Sequence, residues 1–150
     1  MKRILFALAL IVIGCIFTTA ALATPFDTET FGKVDRIGVH TLTRHDPGYG
    51  ANDINLGVFV VTDKNYTIGT YYNSIRKQSY YVGMSTNEWY RVTITGALVT
   101  GYWWAVTPVI IQSIRLYSFD QGPSIFLSGG PKLNDDGQSI LHITAVWRLK

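Results

Sequence analysis

The residues with the clearest capacity for acid–base chemistry lie in segment 40–46, His-Thr-Leu-Thr-Arg-His-Asp. An imidazole can transfer protons near neutral pH, and a carboxylate such as Asp46 can orient it. A serine presented by a neighbouring strand, such as Ser74, would complete a Ser-His-Asp arrangement with His40 or His45. These four residues are therefore the catalytic candidates, and they predict hydrolysis of acyl or glycan substrates as one alternative. The simpler interpretation of His45 and Asp46 is a solvated turn.

Metal binding has weaker support in the sequence. His40 and His45 are five positions apart, which places their side chains on opposite faces of a regular strand. The segment 134–137, Asn-Asp-Asp-Gly, resembles part of a calcium loop but lacks the glutamate that completes the pattern. We therefore expect no metal site and no cofactor.

A second polar group suits binding better than catalysis. Asn73 and Ser74 are followed by Arg76, and aromatic residues flank them on both sides. A guanidinium can hold an acidic lipid headgroup or a carboxylate of a partner protein. The candidate binding residues are Asn73, Arg76, Tyr72, Tyr80 and Trp103. A solvated hairpin turn is the alternative interpretation.

The elements that must position these residues are strands. Charged residues make up only 15% of the chain and aromatic residues 13%, and after position 23 the sequence is rich in Tyr, Trp, Val, Ile, Thr and Gly, as strands are. Position 24 to 32 resembles an extended leader. Alternation and turn residues predict strands over 33–44, 53–62, 66–73, 79–84, 88–98, 104–111 with 113–119, 124–128 and 139–150. Pro108 marks an edge, a bulge or a break.

Eight or so short strands without a crossover helix predict an all-β fold, an antiparallel meander that closes into a small β-barrel. In strand 53–62, the side chains of Ile54, Leu56, Val58 and Val60 share one face, and Asn55, Gly57, Phe59 and Val61 share the other. Four glycines, one in each of four strands, suit the curvature of a small barrel: Gly57, Gly69, Gly83 and Gly96.

Alternation alone does not decide which face points outward. Several aromatic groups lie close to predicted strand ends, as in the interfacial belts of membrane barrels: 71–72, 80–81, 89–90 and 102–104. The location of these aromatic residues near strand ends favours a membrane barrel. In the alternative, a soluble barrel, the same aromatic side chains fill a core or rim.

The first 23 residues indicate export. Lys2 and Arg3 precede the apolar run 4–17, and Ala21-Leu22-Ala23 is a small-residue cleavage site. We expect a signal peptide over 1–23 and a single domain over 24–150. A retained membrane anchor is one alternative, and a lipobox that ends in Cys15 is another.

Cleavage after position 23 changes the charge and thiol content. The chain has 13 basic and 10 acidic residues, and the loss of Lys2 and Arg3 leaves 11 against 10. The remaining basic residues are scattered, so nucleic acid is not an expected partner. Cys15, the only cysteine, would also be removed, which excludes disulfides and thiolate chemistry.

Several strand-and-turn motifs resemble a group of small exported β-rich proteins of tailed phages and proteobacteria. These motifs lie within residues 37–149 and are Asn55-Leu56-Gly57-Val58, Tyr71-Tyr72-Asn73-Ser74, Ser79-Tyr80-Tyr81-Val82-Gly83, Thr100-Gly101-Tyr102 and Pro108. The resemblance implies a bacterial or phage origin and a β fold, and carries over no catalytic residues.

The leading functional expectation is a non-enzymatic exported barrel in the bacterial outer membrane or periplasm. It would bind an envelope lipid or envelope protein, and a phage-borne copy would modify the host surface. Two alternatives remain: an envelope hydrolase that uses His40 or His45, and a soluble periplasmic inhibitor or interaction module.

Overall fold

A computed structural model describes residues 28–46, 50–130 and 139–149. The chain divides into two compact units, 1–32 and 33–150. The predicted signal peptide, its cleavage site and Cys15 lie outside the described residues. No helix in the described part of the chain is long and apolar enough to cross a membrane.

The leader over 24–32 is not extended where the structure describes it. A single helical turn, α1 (Thr28–Phe31), is present instead. Gly32 closes this turn, because it adopts a left-handed conformation with φ of 82° and its N–H donates to the Thr28 carbonyl at 3.1 Å. A glycine in this position is a common helix terminator.

The second unit is a closed barrel of eight antiparallel strands in meander order, which confirms the predicted fold. The strands are β1 (Val34–Asp46), β2 (Ile54–Thr62), β3 (Tyr66–Tyr72), β4 (Gln78–Ser85), β5 (Val92–Val99), β6 (Thr107–Ser118), β7 (Ser124–Gly130) and β8 (Ser139–Arg148). Closure is completed by pairing of β1 with β8. A closed sheet leaves no unpaired strand edge.

The predicted strands differ most from the structure at β5 and β6, and most of the other strand ends differ by one or two residues. β6 is one continuous strand, and Pro108 lies near its start, paired with Leu98. β5 begins at Val92 rather than at position 88. Tyr90 and Arg91 have φ of 46° and 71°, so they form a turn that the alternation of the sequence does not reveal.

The barrel has two different ends. The end where β1 finishes, called the loop end below, carries the connections 73–77 and 100–106, of five and seven residues. β1 also ends and β2 begins there, seven residues apart in sequence, as do β7 and β8, eight residues apart. The end where β1 starts, called the turn end, carries 63–65, 86–91 and 119–123, of three, six and five residues.

Apolar side chains lie mainly on the outer face of this barrel. Among the described residues, 24 large hydrophobic side chains are exposed, whereas the buried hydrophobic side chains are Val61, Ala97 and Val99. Gln112 is a polar residue within the outer face. The buried polar side chains are Thr43, His45, Asn55, Thr62, Thr67, Asn73, Ser79, Ser128 and Thr144. The distribution is the inverse of that in a soluble barrel, whose apolar face points inward.

A β-bulge in β1 brings two histidines to the same face. The pairing of β1 with β8 shifts between His40 and Thr43, and the shift in the pairing with β2 follows His40 directly. His40 pairs with Thr144 and His45 pairs with Ile140, and both partners lie on the inner face of β8. The prediction that His40 and His45 occupy opposite faces was therefore wrong, because an extra residue reverses the alternation.

Small residues on the inner face make room for large rings. A Cβ on Gly38 would lie 2.1 Å from the ring of Phe59, and one on Gly69 would lie 2.6 Å from the ring of Tyr81. Gly96, in contrast, has no atom within 4 Å of such a Cβ. Gly38 and Gly69 therefore allow a narrow barrel to enclose aromatic side chains.

Candidate functional site

The inside of the barrel contains a chain of four hydrogen-bonded side chains. His40 Nε2 lies 2.9 Å from the Tyr81 hydroxyl, and His40 Nδ1 lies 2.8 Å from His142 Nε2. His142 Nδ1 lies 2.6 Å from the Thr43 hydroxyl. Both nitrogens of both imidazoles are therefore engaged.

Aromatic rings surround the centre of this chain. The ring of His40 has its centroid 4.8 Å from Phe59, 5.4 Å from Tyr71 and 5.7 Å from Tyr81. Tyr71 extends the contact toward the loop end, where its hydroxyl lies 3.0 Å from that of Tyr102. These rings pack against one another across the barrel at this level, as is expected of an eight-stranded barrel, whose width suits filling by side chains.

The predicted catalytic residues do not assemble into a Ser-His-Asp set. His45 is buried, and its Nδ1 lies 3.0 Å from Asp53 Oδ1 rather than near Asp46. Asp46 is exposed at the end of β1, and Ser74 is half-buried in the connection that follows β3. The described hydrogen bonds of His40 go to His142 and Tyr81, so no serine is bonded to it.

Asn73, a predicted binding residue, is fully buried at the loop end. Its side-chain N–H groups donate to Ser79 Oγ at 2.9 Å and to the Gly101 carbonyl at 2.8 Å. Its Oδ1 accepts from the backbone N–H groups of Ile75 and Lys77 at 3.0 and 2.9 Å. Asn73 thus ties the 73–77 and 100–106 connections together, and its polar atoms are used within the protein.

The other predicted binding residues also lie at or near the loop end. Tyr72 and Tyr80 are exposed on the outer face of β3 and β4. Arg76 is exposed with φ of 61°, and Trp103 is 85% exposed in the 100–106 connection. They form an aromatic and basic rim, to which Trp104 also belongs.

The turn end has an aromatic group of its own. Trp89 and Tyr90 are 73% and 83% exposed, with their ring centroids 4.8 Å apart. Tyr117 and Phe119 are also exposed, with centroids 4.7 Å apart. Trp147 lies close by in the register of β8, near the start of β1. Exposed aromatic side chains therefore occur at both ends, with aliphatic residues between them.

Potential metal-ligating side chains are dispersed in the part of the chain that the structure describes. No group of three or more His, Cys, Asp or Glu side chains suitable for a metal occurs among the described residues. A depression of about 700 Å³ is lined by five consecutive residues of one turn, 119–123, and brings no polar groups together from different elements.

The interior chain includes residues that sequence reasoning missed. His142, Tyr81 and Thr43 were not named as candidates, although His142 alternates with the apolar residues of its strand. That alternation indicates an inner face but does not identify a partner on another strand. Comparison of the chain with protein-family models, with curated proteins and with solved structures finds no match.

Proposed function

We propose that this chain is an exported β-barrel embedded in the bacterial outer membrane, where it acts as a non-enzymatic binding module for an envelope lipid or protein. The observation that supports the proposal is the inverse distribution of its side chains, with apolar residues outside and polar residues inside. Burial in lipid removes about 25 cal/mol of unfavourable free energy per Å² of apolar surface covered. In water, this outer face would remain exposed.

The dimensions of the barrel are compatible with a bilayer. The strands contain 7 to 13 residues. A strand of nine residues such as β2, tilted by about 40°, covers roughly 23 Å, close to the ~25 Å apolar band of membrane barrels. The aromatic side chains at both ends would then lie at the two interfaces.

The lengths of the connections support an orientation. Outer-membrane barrels have short periplasmic turns and longer external loops. We place the turn end in the periplasm and the loop end outside the cell. The rim of Tyr72, Tyr80, Arg76 and Trp103 is then available to a lipid headgroup or surface partner, and a phage-encoded copy would act on its host surface there.

A binding role fits the interior better than transport or hydrolysis does. Aromatic rings pack around His40 across the barrel interior, which argues against a pore. His40 is hydrogen-bonded to His142 and Tyr81 rather than to a serine and a carboxylate, which argues against its use as the general base of a Ser-His-Asp set. A soluble periplasmic module would leave the apolar outer face in water, so we rank it below the membrane proposal.

Fractionation of cells that express the full-length chain tests the proposal. We expect the protein in the outer membrane, with a mature start at Thr24 and gel mobility that changes on boiling. Recovery from the soluble periplasm, without detergent and with unchanged mobility on boiling, would refute membrane embedding. Conversion of an acyl or glycan substrate that is lost in His40→Ala would instead support the hydrolase.

A further inference from the structure

A small cavity opens at the turn end, where the β4–β5 turn meets the last residues of β6. Its volume is about 210 Å³, and it is lined by Arg91, Arg115, Leu116, Tyr117 and Ser118. Pockets for drug-sized ligands have volumes of roughly 300 to 1,000 Å³. This cavity therefore suits a small polar group, and two of its lining residues are arginines.

The two arginines are held together by the backbone. The N–H of Arg115 donates to the carbonyl of Arg91 at 2.8 Å. The Arg115 side chain is fixed in turn, since Nη2 donates to Glu88 Oε1 at 2.6 Å and Nη1 donates to Ser118 Oγ at 3.1 Å. Glu88 is the carboxylate paired with this group, so two guanidinium charges face one negative charge.

Arg91 is not ion-paired among the described residues. It occupies the turn 89–92, whose ends exchange two backbone hydrogen bonds of 2.9 and 2.8 Å between Trp89 and Val92. Two consecutive positive φ angles at Tyr90 and Arg91 are usually adopted by Asn-Gly. Backbone strain of this kind persists where other interactions or a function maintain it, and here it presents Arg91 beside the cavity.

The apolar outer face continues to the edge of the cavity. The pairing of β6 with β7 shifts between Arg115 and Tyr117, and this bulge leaves both Leu116 and Tyr117 exposed. Ile114 lies on the same outer face of β6, two residues before Leu116 and further from the turn end. A molecule that occupied the cavity with a polar group could therefore lay an apolar chain against β6.

We propose that the cavity binds the phosphate group of an anionic phospholipid, with Arg91 and Arg115 as the cationic partners and the acyl chains along the outer face of β6. Guanidinium groups bind phosphate through charge-assisted hydrogen bonds. The adjoining aliphatic face favours a lipid over free phosphate, and the aromatic side chains of Trp89 and Tyr117 lie at the level expected for headgroups. This inference rests on the proposed membrane embedding.

The test uses protein purified from the membranes of cells that express the full-length chain, reconstituted in phosphatidylcholine vesicles. Spin-labelled phosphatidylglycerol and spin-labelled phosphatidylcholine are added in turn, and the ratio of their association constants is measured. We expect wild-type protein to prefer phosphatidylglycerol. Since one interfacial cation contributes about a five-fold preference, Arg91→Gln should lower the ratio by about that factor, whereas Arg91→Lys should retain most of it.

Lys77→Gln is the matched control, because it removes one exposed positive charge at the opposite end. Its ratio should fall by less than that of Arg91→Gln, because the proposed site lies at the turn end. An equal fall would mean that any interfacial charge produces the preference, and would overturn the lipid site. Gel mobility before and after boiling shows that each variant remains folded, which matters because Arg91 lies in a turn with a positive φ angle.

Each other outcome overturns part of the argument. Insertion without any preference for phosphatidylglycerol, or a preference that survives in Arg91→Gln, overturns the lipid site and leaves the membrane barrel standing. Inorganic phosphate, added at constant ionic strength, is a further test. If it abolishes the preference and also raises the temperature at which the gel mobility changes, the ligand is free phosphate and not a lipid. Failure of wild-type protein to enter vesicles overturns both proposals.

Discussion

At the scale of single residues, the interior hydrogen-bond chain carries a directional constraint. A neutral imidazole has one donor nitrogen and one acceptor nitrogen, so His40 and His142 must adopt matching tautomers for both to be satisfied. The end groups, Tyr81 and Thr43, can either donate or accept and therefore fit either direction. A buried polar group left without a partner costs more than a hydrogen bond gains, so the middle of the chain should matter more than its ends.

Substitutions along the chain should show this difference. His142→Leu leaves His40 Nδ1 and the Thr43 hydroxyl without their partner, and we expect a loss of about 2 to 4 kcal/mol in the free energy of unfolding. Tyr81→Phe removes only a terminal hydroxyl, and about 1 kcal/mol should be lost. Urea unfolding in detergent micelles, followed by tryptophan fluorescence, measures both values. Equal losses would contradict the proposed importance of the central bond.

Asn73 and its neighbour Ser74 give a second test at this scale. Asn73→Ala would remove the partner of four hydrogen bonds at a fully buried position. We expect a loss of about 2 to 3 kcal/mol, since several buried groups would remain unpaired. Ser74→Ala, at a half-buried neighbouring position, should change stability by less than about 0.5 kcal/mol. The same unfolding experiment compares them, and a mild effect of Asn73→Ala would argue against its structural role.

Part of the residue-level site was predictable from the sequence. The residue types indicated His40 as a catalytic candidate, and the structure places it in the interior chain; the binding role of Tyr72, Tyr80 and Trp103 stays a prediction. The partnership of His40 with His142 was not predictable, because the two are 102 positions apart and meet only through strand register. Arg91 was missed for a related reason, since its cavity arises from a turn and a bulge on adjoining hairpins.

At the scale of elements, the narrow barrel depends on pairing small inner residues with large ones. Gly38 lies opposite Phe59 in the register of β1 and β2, and the ring of Phe59 also packs at 4.8 Å from His40. The ring therefore has little room to move away from an added methyl group. The barrel could not close at this diameter if position 38 carried a large side chain opposite Phe59.

Gly38→Ala should consequently destabilise the barrel, by about 1 to 3 kcal/mol, as is typical of overpacking. Gly96→Ala on the outer face is the matched control, because a Cβ there meets no atom within 4 Å. It should be neutral or slightly stabilising, since alanine restricts the unfolded chain. The temperature at which the gel mobility of each variant changes measures the difference. Phe59→Leu should restore part of the stability lost in Gly38→Ala, and no rescue would indicate that the strain lies elsewhere.

The sequence predicts strands better than it predicts their irregularities. Period-two alternation identified all eight strands, because burial on one face demands it. The bulge at positions 41–42 contains no glycine or proline that would indicate it. Regular alternation therefore predicted, wrongly, that His40 and His45 lie on opposite faces of β1. Similarly, the turn at Tyr90 and Arg91 lacks the Asn-Gly signal of its type, and the strand was started too early.

At the scale of the whole molecule, alternation left one question open and the structure answers its geometric part. The face that contains Leu56, Val82 and Leu98 is the outer one, and the face that contains Asn55 and Thr144 is the inner one. The membrane environment of the outer face is our proposal, and it rests on energetics. In water, the aliphatic side chains of the outer face would be exposed to solvent. In a bilayer, the same side chains would contact lipid, and the polar side chains would stay inside the barrel, away from the lipid.

The sign and size of one substitution separate these two environments. Val82 lies on the outer face in the middle of β4, 47% exposed. In a bilayer, Val82→Arg places a charge near the midplane and should cost about 2 to 4 kcal/mol. In water, the same exposed substitution should change stability by less than about 0.5 kcal/mol. Gln121→Arg, at an exposed position in the turn-end connection 119–123, is the control and should cost at most about 1 kcal/mol near the interface. Urea unfolding in vesicles measures both variants, and a Val82→Arg protein as stable as wild type would place the outer face in water.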